Sequence, residues 1–258
     1  MKKHVPNHSF FELFPKRSES LLLIPTWNEG ERIQNELKTL KQHNVNTQVD
    51  IILMDGGTTD GSIDKEFLQN MGVRGVITIL EKGQGRAYRT GFAKAVEDNY
   101  LYVVTIDGNN KDNVEIVPQF VQKLKEGFHF VQGSRFMKGG YHKNTPLARL
   151  LAIKFFSNPL LSLVSGVKYT ETMSAFRGFS IEILKDTRLD LFRDCFVTWE
   201  IQWYIASRVP KLGYKVTEIP QSRIYPKYGP TPTKINWNGN FHIIIQLLKV
   251  AFGCYNPK

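Results

Sequence analysis

Apolar residues follow two alternating rhythms along this chain. Near-continuous apolar runs recur at 20–24 (SLLLI), 49–54 (VDIILM), 75–80 (GVITIL) and 101–106 (LYVVTI). Between them, ERIQNELKTLKQ (31–42) and RAYRTGFAKAVED (86–98) carry apolar residues three and four apart, which is helical spacing. The alternation predicts βαβα. Strands that stay apolar at successive positions are buried on both faces, so the expected class is α/β, with a mostly parallel central sheet and helices on both faces.

Past residue 127 the rhythm changes. FHFVQGSRF (128–136) reads as one more short strand, followed by an apolar helical stretch over 146–167 that is broken at Pro159. TETMSAFRGFS and the helix-like FVTWEIQWYIASRV come next. The strand-like YKVTEIP, a Pro-rich loop YPKYGPTPTK and a terminal helix pattern FHIIIQLLKVAF complete the chain. Neither a linker nor an internal repeat is visible. The expected organisation is one domain over 1–258, in which 20–127 form one half, 128–235 the other, and 236–258 a C-terminal amphipathic helix.

Ligands of open α/β sheets bind beyond the carboxyl ends of the strands. The first strand ends in Pro25-Thr26-Trp27-Asn28-Glu29 and the second in Asp55-Gly56-Gly57-Thr58-Thr59-Asp60-Gly61. The third ends in Lys82-Gly83-Gln84-Gly85 and the fourth in Asp107-Gly108-Asn109-Asn110. Acids and glycines therefore gather on one edge. Any one of these loops could be explained by helix caps at Asn28, Thr59, Asp60 and Asn110 and by glycine turns; four together point to a site.

A net charge of +10 implies anionic company: nucleic acid, an anionic membrane surface or a phosphorylated substrate. An acid-rich strand-end edge argues against nucleic acid. The two cysteines, Cys195 and Cys254, lack CxxC spacing, so neither a disulfide framework nor a thiolate metal site is expected, and a reducing cytoplasmic setting is. Polar residues interrupt any apolar core in the first twenty positions, which argues against a secretory signal. No uninterrupted apolar run reaches the roughly 18 residues of a membrane span.

Six short motifs in order resemble the family 2 glycosyltransferases, and among them the dolichyl- or polyprenyl-phosphate sugar synthases. Pro25-x-x-Asn28-Glu29 resembles the first nucleotide motif, DGGTTDGS the D-x-G-S-T-D-G loop, and GQGRAYRTG the G-K-G-x-A-x-x-x-G segment. Gly133-Ser134-Arg135 is similar to G-S-R, SAFR to S-G-F-R, and Gly229 to Lys234 to the closing G-x-S-K. The resemblance covers roughly residues 20 to 235.

It implies a GT-A, Rossmann-like fold and a nucleoside-diphosphate sugar as donor. Pro25, Asn28, Glu29, Asp55, Gly85, Arg89, Asp107, Gly108, Asn109, Arg135 and Lys234 are then expected to hold the donor, with Glu29 and Asp55 on the nucleoside. Asp107, Glu171 and Arg177 are the expected catalytic residues. Where the family has D-x-D for Mg²⁺ or Mn²⁺, this chain has Asp107-Gly108-Asn109, so Asp107 and Asn109 are the expected metal ligands, the second one an amide. Gly56 also departs, standing where the family often has an acid.

Glu171 could serve as base toward a sugar hydroxyl, whereas a lipid phosphate acceptor needs none. Glu200 in TWEIQW is a family acid or a buried structural partner. The expected activity is inverting transfer of a hexose to polyprenyl phosphate at the cytoplasmic membrane face. The alternatives are transfer to a glycan hydroxyl and nucleotide-sugar binding without turnover. His242, Gln246 and Lys249 form one polar stripe on the last helix, which either packs on the domain or lies in an interface. With the 147–167 stretch and the net charge, it suggests peripheral membrane contact.

Overall fold

The structure, a computed structural model, describes residues 4–227 and 237–257, with side chains from residue 241 in the last helix. Strands β1 (His8–Glu12), β2 (Ser20–Thr26), β3 (Asp50–Asp55), β4 (Gly75–Ile79) and β5 (Tyr102–Thr105) alternate with helices α1 (Glu31–Gln42), α2 (Lys65–Met71) and α3 (Gln84–Glu97). Next come α4 (Val117–Lys125), β6 (Phe130–Ser134), β7 (Tyr141–Lys143), α5 (Leu147–Ala152) and α6 (Asn158–Ser165). β8 (Arg177–Ser180), α7 (Ile181–Lys185), α8 (Glu200–Lys211), β9 (Val216–Pro220), β10 (Ser222–Ile224) and α9 (Trp237–Ala251) follow.

Eight strands form the main sheet in the order β1-β4-β3-β2-β5-β8-β6-β9, and β10 pairs with β7 in a second, two-stranded sheet. β4, β3, β2 and β5 run parallel. The chain leaves β2 toward β3 on one side and returns to β5 on the other, which opens the switch-point crevice at the strands' carboxyl ends.

Burial explains the apolar runs. Leu21, Leu23, Ile52 and Met54 join one core with α3, α7 and α8, while Leu22, Ile24, Ile51 and Leu53 join the other with α1, α2 and α4. Each strand thus alternates between two buried faces, and no polar alternation survives to be read.

Three features differ from the sequence expectation. β1 pairs antiparallel with β4 at the sheet edge; its HSFFE lies between prolines and shows too little periodicity to read. β8 is antiparallel to both β5 and β6, in the middle of the sheet, although SAFR reads as a site motif. The helix over 147–165 is not broken at Pro159. A π-helical turn, Ile153–Ser157, precedes α6, and Pro159 sits in the first turn of α6, where its missing amide costs little. The resulting helix Leu147–Ser165 has 19 residues and is long and apolar enough, by length and composition only, to cross a membrane.

The loop 196–198 is what seats α3. Glu200 accepts hydrogen bonds from the amides of Val197 and Thr198, and its other oxygen accepts the Thr198 hydroxyl at 2.6 Å. This gives Glu200 the structural role. Gly85 donates its amide to the Val197 carbonyl at 3.0 Å, and a Cβ on Gly85 would lie 2.7 Å from the Thr198 oxygen. Backbone cannot yield as a side chain can. Gly85→Ala is therefore expected to destabilise by about 1–3 kcal/mol, read as a fall of several degrees in Tm; an unchanged Tm would show that the loop does not rest on α3.

Candidate active site

The loops after β2 and β3 are laced together. Register pairs Thr26 with Asp55 at the two strand ends, and the Gly56 amide donates to the Thr26 carbonyl at 2.9 Å. Asn28, in the left-handed region at φ 48°, receives the Thr59 amide on Oδ1 at 2.8 Å, while its own amide donates to the Thr58 hydroxyl. Asp60 accepts from the amides of Gly30 and Ser62. Asn28 and Asp60 are thus clasps between loops rather than helix caps; Gly30 starts α1, and Asp64 caps α2 by accepting the Phe67 amide.

Asp55 is buried, and its Oδ1 accepts the amides of Gly57 at 3.1 Å and Thr58 at 2.8 Å. Glu29 pairs with Arg32 one turn into α1 at 3.0 Å. Trp27 lies under the Lys82 ammonium, 4.5 Å from its ring centre, at the mouth of the crevice.

At the end of β5, Asp107-Gly108-Asn109 lies against β2. A Cβ on Gly108 would stand 3.0 Å from the Pro25 carbonyl, so any side chain there would have to push the two strand ends slightly apart. Asp107 Oδ1 receives the Gln84 side-chain amide at 3.1 Å, and Oδ2 receives Arg223 at 3.1 Å. Arg223 also donates to Asp112 and forms a β-bridge with it. Burial alone would raise the Asp107 pKa, yet Arg223 and Lys111 hold it below the usual carboxylate range. Deeper in, burial pushes the carboxyls of Asp112 and Glu36 up, and Glu36 accepts the Asn110 amide.

The other expected site residues are redistributed. Arg135 and Glu171 form a buried pair at 2.5 Å, and Glu171 also accepts the Met173 amide. With no exposure and its oxygens committed, Glu171 is a clamp on Arg135 rather than an accessible base. Arg177 is fully buried and donates to the carbonyls of Ser174, Gln202 and Thr172, so it does not reach the crevice. Arg89 turns away under the N-terminal segment and donates to the His4 carbonyl at 2.8 Å. Lys234 lies outside the described residues.

A cluster that the sequence does not announce lies beside Asp107. The Tyr225 phenol receives Arg149 at 3.2 Å, Lys111 stands 4.9 Å from its ring centre, and Arg223 is 5.8 Å away. Burial would raise the phenol's pKa, but Arg223, Arg135, Arg149 and Lys111 bring it down to about 7. Several cations thus converge on one phenol, next to α5, which carries Arg149. Lys111, Arg223 and Tyr225 escape a motif reading because each sits outside the recognisable motifs; Gln84 lies inside GQGRAYRTG, where the family's pattern has a lysine.

Residues 22–188 match the family model described as glycosyl transferase family 2. The chain belongs to that family. Polyprenol monophosphomannose synthase of Mycolicibacterium smegmatis is 27% identical over 205 residues, covering 78% of this chain and 76% of that protein. Glycosyltransferase AglJ of Haloferax volcanii is 27% identical over 217 residues, 83% of this chain and 66% of that protein. Dolichol-phosphate mannosyltransferase of Pyrococcus furiosus is 27% identical over 135 residues, 52% of this chain and 38% of that one. The chain thus spans less than two thirds of two of these three relatives.

Among solved structures, glucosyl-3-phosphoglycerate synthase from Mycobacterium tuberculosis with Mn²⁺, UDP and phosphoglyceric acid matches with a TM-score of 0.61 at 15% identity, over 93% of this chain and 79% of that one. Its complex with Mn²⁺ and UDP-glucose gives 0.62 at 16%, over 93% and 80%. At such identities the likeness shows the fold, which is the GT-A arrangement.

Glycosyltransferases of this fold commonly place a divalent ion at the D-x-D loop. The buried Asn109 Oδ1 has no partner, which favours a ligand there. Against it, both Asp107 oxygens are engaged, and no group of three His, Cys, Asp or Glu among the described residues could hold a metal. Mg²⁺ and Mn²⁺ prefer hard oxygen ligands, carboxylates above all. One amide oxygen and one carboxylate already neutralised by arginine do not fit that requirement.

The phenol offers a direct reading of the cluster. A folded-state pKa near 7, below the usual value of about 10, means that Tyr225 ionises in the native protein first. Its contribution to stability is full above pH 10 and is lost as pH falls through 7. Phenolate absorbance should therefore show a step near pH 7 that Tyr225→Phe removes; a wild-type titration beginning only near 10 would show that the cations do not act on it.

Proposed function

We propose that this family 2 glycosyltransferase moves a hexose from a nucleoside-diphosphate donor to a polyprenyl phosphate, by an inverting displacement at the cytoplasmic membrane face. The observation that carries this reading is the convergence of Arg135, Arg149, Arg223 and Lys111 around Tyr225, beside an exposed apolar helix. A phosphate headgroup matches the cations, and its lipid chain matches the helix. The names of the Mycolicibacterium and Pyrococcus relatives support the same acceptor class.

In this reading Pro25, Asn28, Glu29 and Asp55 hold the nucleoside, and Asp107, Gly108 and Asn109 lie under the diphosphate and sugar. An acceptor phosphate oxygen attacks the anomeric carbon, the bond from that carbon to the diphosphate oxygen breaks, and the nucleoside diphosphate leaves with the electron pair. The acceptor is already anionic near neutral pH, so no base is needed. This agrees with the commitment of Glu171 to Arg135, which leaves a hydroxyl acceptor without an activating group at that position.

Leu147, Leu151, Phe155 and Leu163 are exposed on the 147–165 helix, as are Phe241 within α9 and Phe252 just after it. Lys143, Lys154 and Lys168 are exposed beside the first set. Basic residues at an anionic surface add roughly 1 kcal/mol each, so peripheral binding needs only these side chains.

Two measurements test the proposal. Supplied with GDP-, UDP- or dTDP-hexoses and a short-chain polyprenyl phosphate, the chain should release a glycosyl phosphate lipid. Arg149→Ala should raise acceptor KM by about tenfold or more, as expected for loss of one charged hydrogen bond, with donor KM unchanged. Transfer to a soluble glycan instead, indifferent to Arg149, would replace the acceptor assignment. Separately, Phe155→Ser with Leu163→Ser should weaken sedimentation with anionic vesicles without altering Tm; equal sedimentation would remove this helix from the membrane face.

A further inference from the structure

The strand-end acids of this chain carry their own counterion. Arg223 reaches across from β10, and its side chain is only 5% exposed. It bonds Asp112 through one terminal nitrogen and Asp107 through the other at 3.1 Å, while the backbone bridge between residues 112 and 223 fixes its root. Lys111 adds a second positive charge that acts on Asp107. Counted formally, Asp107 and Asp112 contribute two negative charges and Arg223 and Lys111 two positive ones. The cluster is neutral before any ion enters.

A divalent ion would meet no net negative charge here. To reach Asp107 it would also have to displace a guanidinium that has no lower-charge state to adopt and that sits in a buried place made for it. Asn109 supplies a carbonyl oxygen where a second acid would have strengthened the attraction, and Gln84 covers the remaining Asp107 oxygen.

We infer that Arg223 stands against Asp107 in place of a divalent ion and neutralises the strand-end acids, so that the chain binds its nucleoside diphosphate without a metal. Arg223 is a positioning residue in this scheme: it fixes Asp107 and the charge balance of the loop. The inference rests on the donor assignment proposed above.

The test uses the full chain stripped with EDTA. Free Mn²⁺ is followed by electron paramagnetic resonance, and GDP and UDP affinities are measured by calorimetry in EDTA and in Mn²⁺. The wild type should retain no more Mn²⁺ than the nucleotide alone does, and its nucleotide affinity should be the same in both buffers. Arg223→Met combined with Asn109→Asp should retain Mn²⁺ and lose nucleotide affinity in EDTA by about tenfold or more. Arg223→Lys, which keeps the charge but not the two-pronged fork, should still retain no more Mn²⁺ than the nucleotide alone does.

Retention of Mn²⁺ by the wild type, with loss of nucleotide affinity in EDTA, would overturn the inference. So would a folded double variant that still ignores Mn²⁺, because the arginine would then not be what excludes the ion. If the double variant does not fold, Asn109→Asp alone decides, since with Arg223 in place it should remain indifferent to Mn²⁺, and retention would count against the role assigned to Arg223. If neither nucleotide binds in either buffer, the donor assignment falls, while the Mn²⁺ comparison between wild type and variants still decides the role of Arg223.

Discussion

The ion pairs of Arg223 with Asp107 and Asp112 set the terms for the rest of the site. Asp107 and Arg223 lie 116 positions apart in sequence, yet they meet at the centre of the crevice. Buried charges are tolerated only when paired, and removing one member of such a pair costs about 3–5 kcal/mol because the other is left uncompensated. The pairing therefore pins β10 to the end of β5. It brings with it Tyr225, two residues further on, whose carbonyl is held by Asn144 at 3.0 Å. The part of the chain after β9 is in this way made a wall of the crevice by electrostatics as much as by the two-stranded sheet.

Once that wall is in place, the crevice divides by charge. On the β2–β3 side, carboxylates and loop amides are engaged with one another, where the proposed function puts the nucleoside. On the β10–α5 side, cations outnumber acids around a phenol. Arg135 is held through Nε by Glu171 and lies close enough to Tyr225 to act on its phenol electrostatically; Glu171 in turn accepts the Met173 amide. A carboxylate that a motif comparison would nominate as a base is thus explained by the cation it orients.

Much of this could be read from the residues alone. The four parallel strands and α1, α3, α8 and α9 follow from apolar period, and the acids and glycines at strand ends lie on the crevice. What could not be read depends on partners distant in sequence. Arg177 and Arg135 are both arginines in short motifs, but one is spent on three carbonyls and the other on a carboxylate, and only packing separates them. Gly85 is demanded by the backbone of Val197 and Thr198 rather than, as the motif suggests, by a ligand alone. Asn28 and Asp60 look like caps because caps and loop-to-loop clasps use the same short polar side chains. Arg223 sits in the three-residue β10 and Tyr225 just after it, at the start of the Pro-rich loop, where neither apolar period nor motif marks a site.

The helix over 147–165 shows why its irregular turn belongs where it is. Leu147, Leu151, Phe155, Pro159 and Leu163 recur every four residues, and all five are exposed. In a regular α-helix of 3.6 residues per turn, each such step drifts by roughly 40°, so four steps would carry Leu163 well around from Leu147. The π-helical turn Ile153–Ser157 takes up one extra residue midway and so opposes that drift. Pro159, which has no amide to donate, falls just after it, in the first turn of α6. The result is one apolar face along the whole helix, opposite the buried Ile153, Ser157 and Leu161 that hold it to the body of the protein. A helix built only to fill the core would have no use for such a stripe on its outer side, whereas the membrane contact proposed above would use it while Arg149, on the first turn, reaches back to Tyr225.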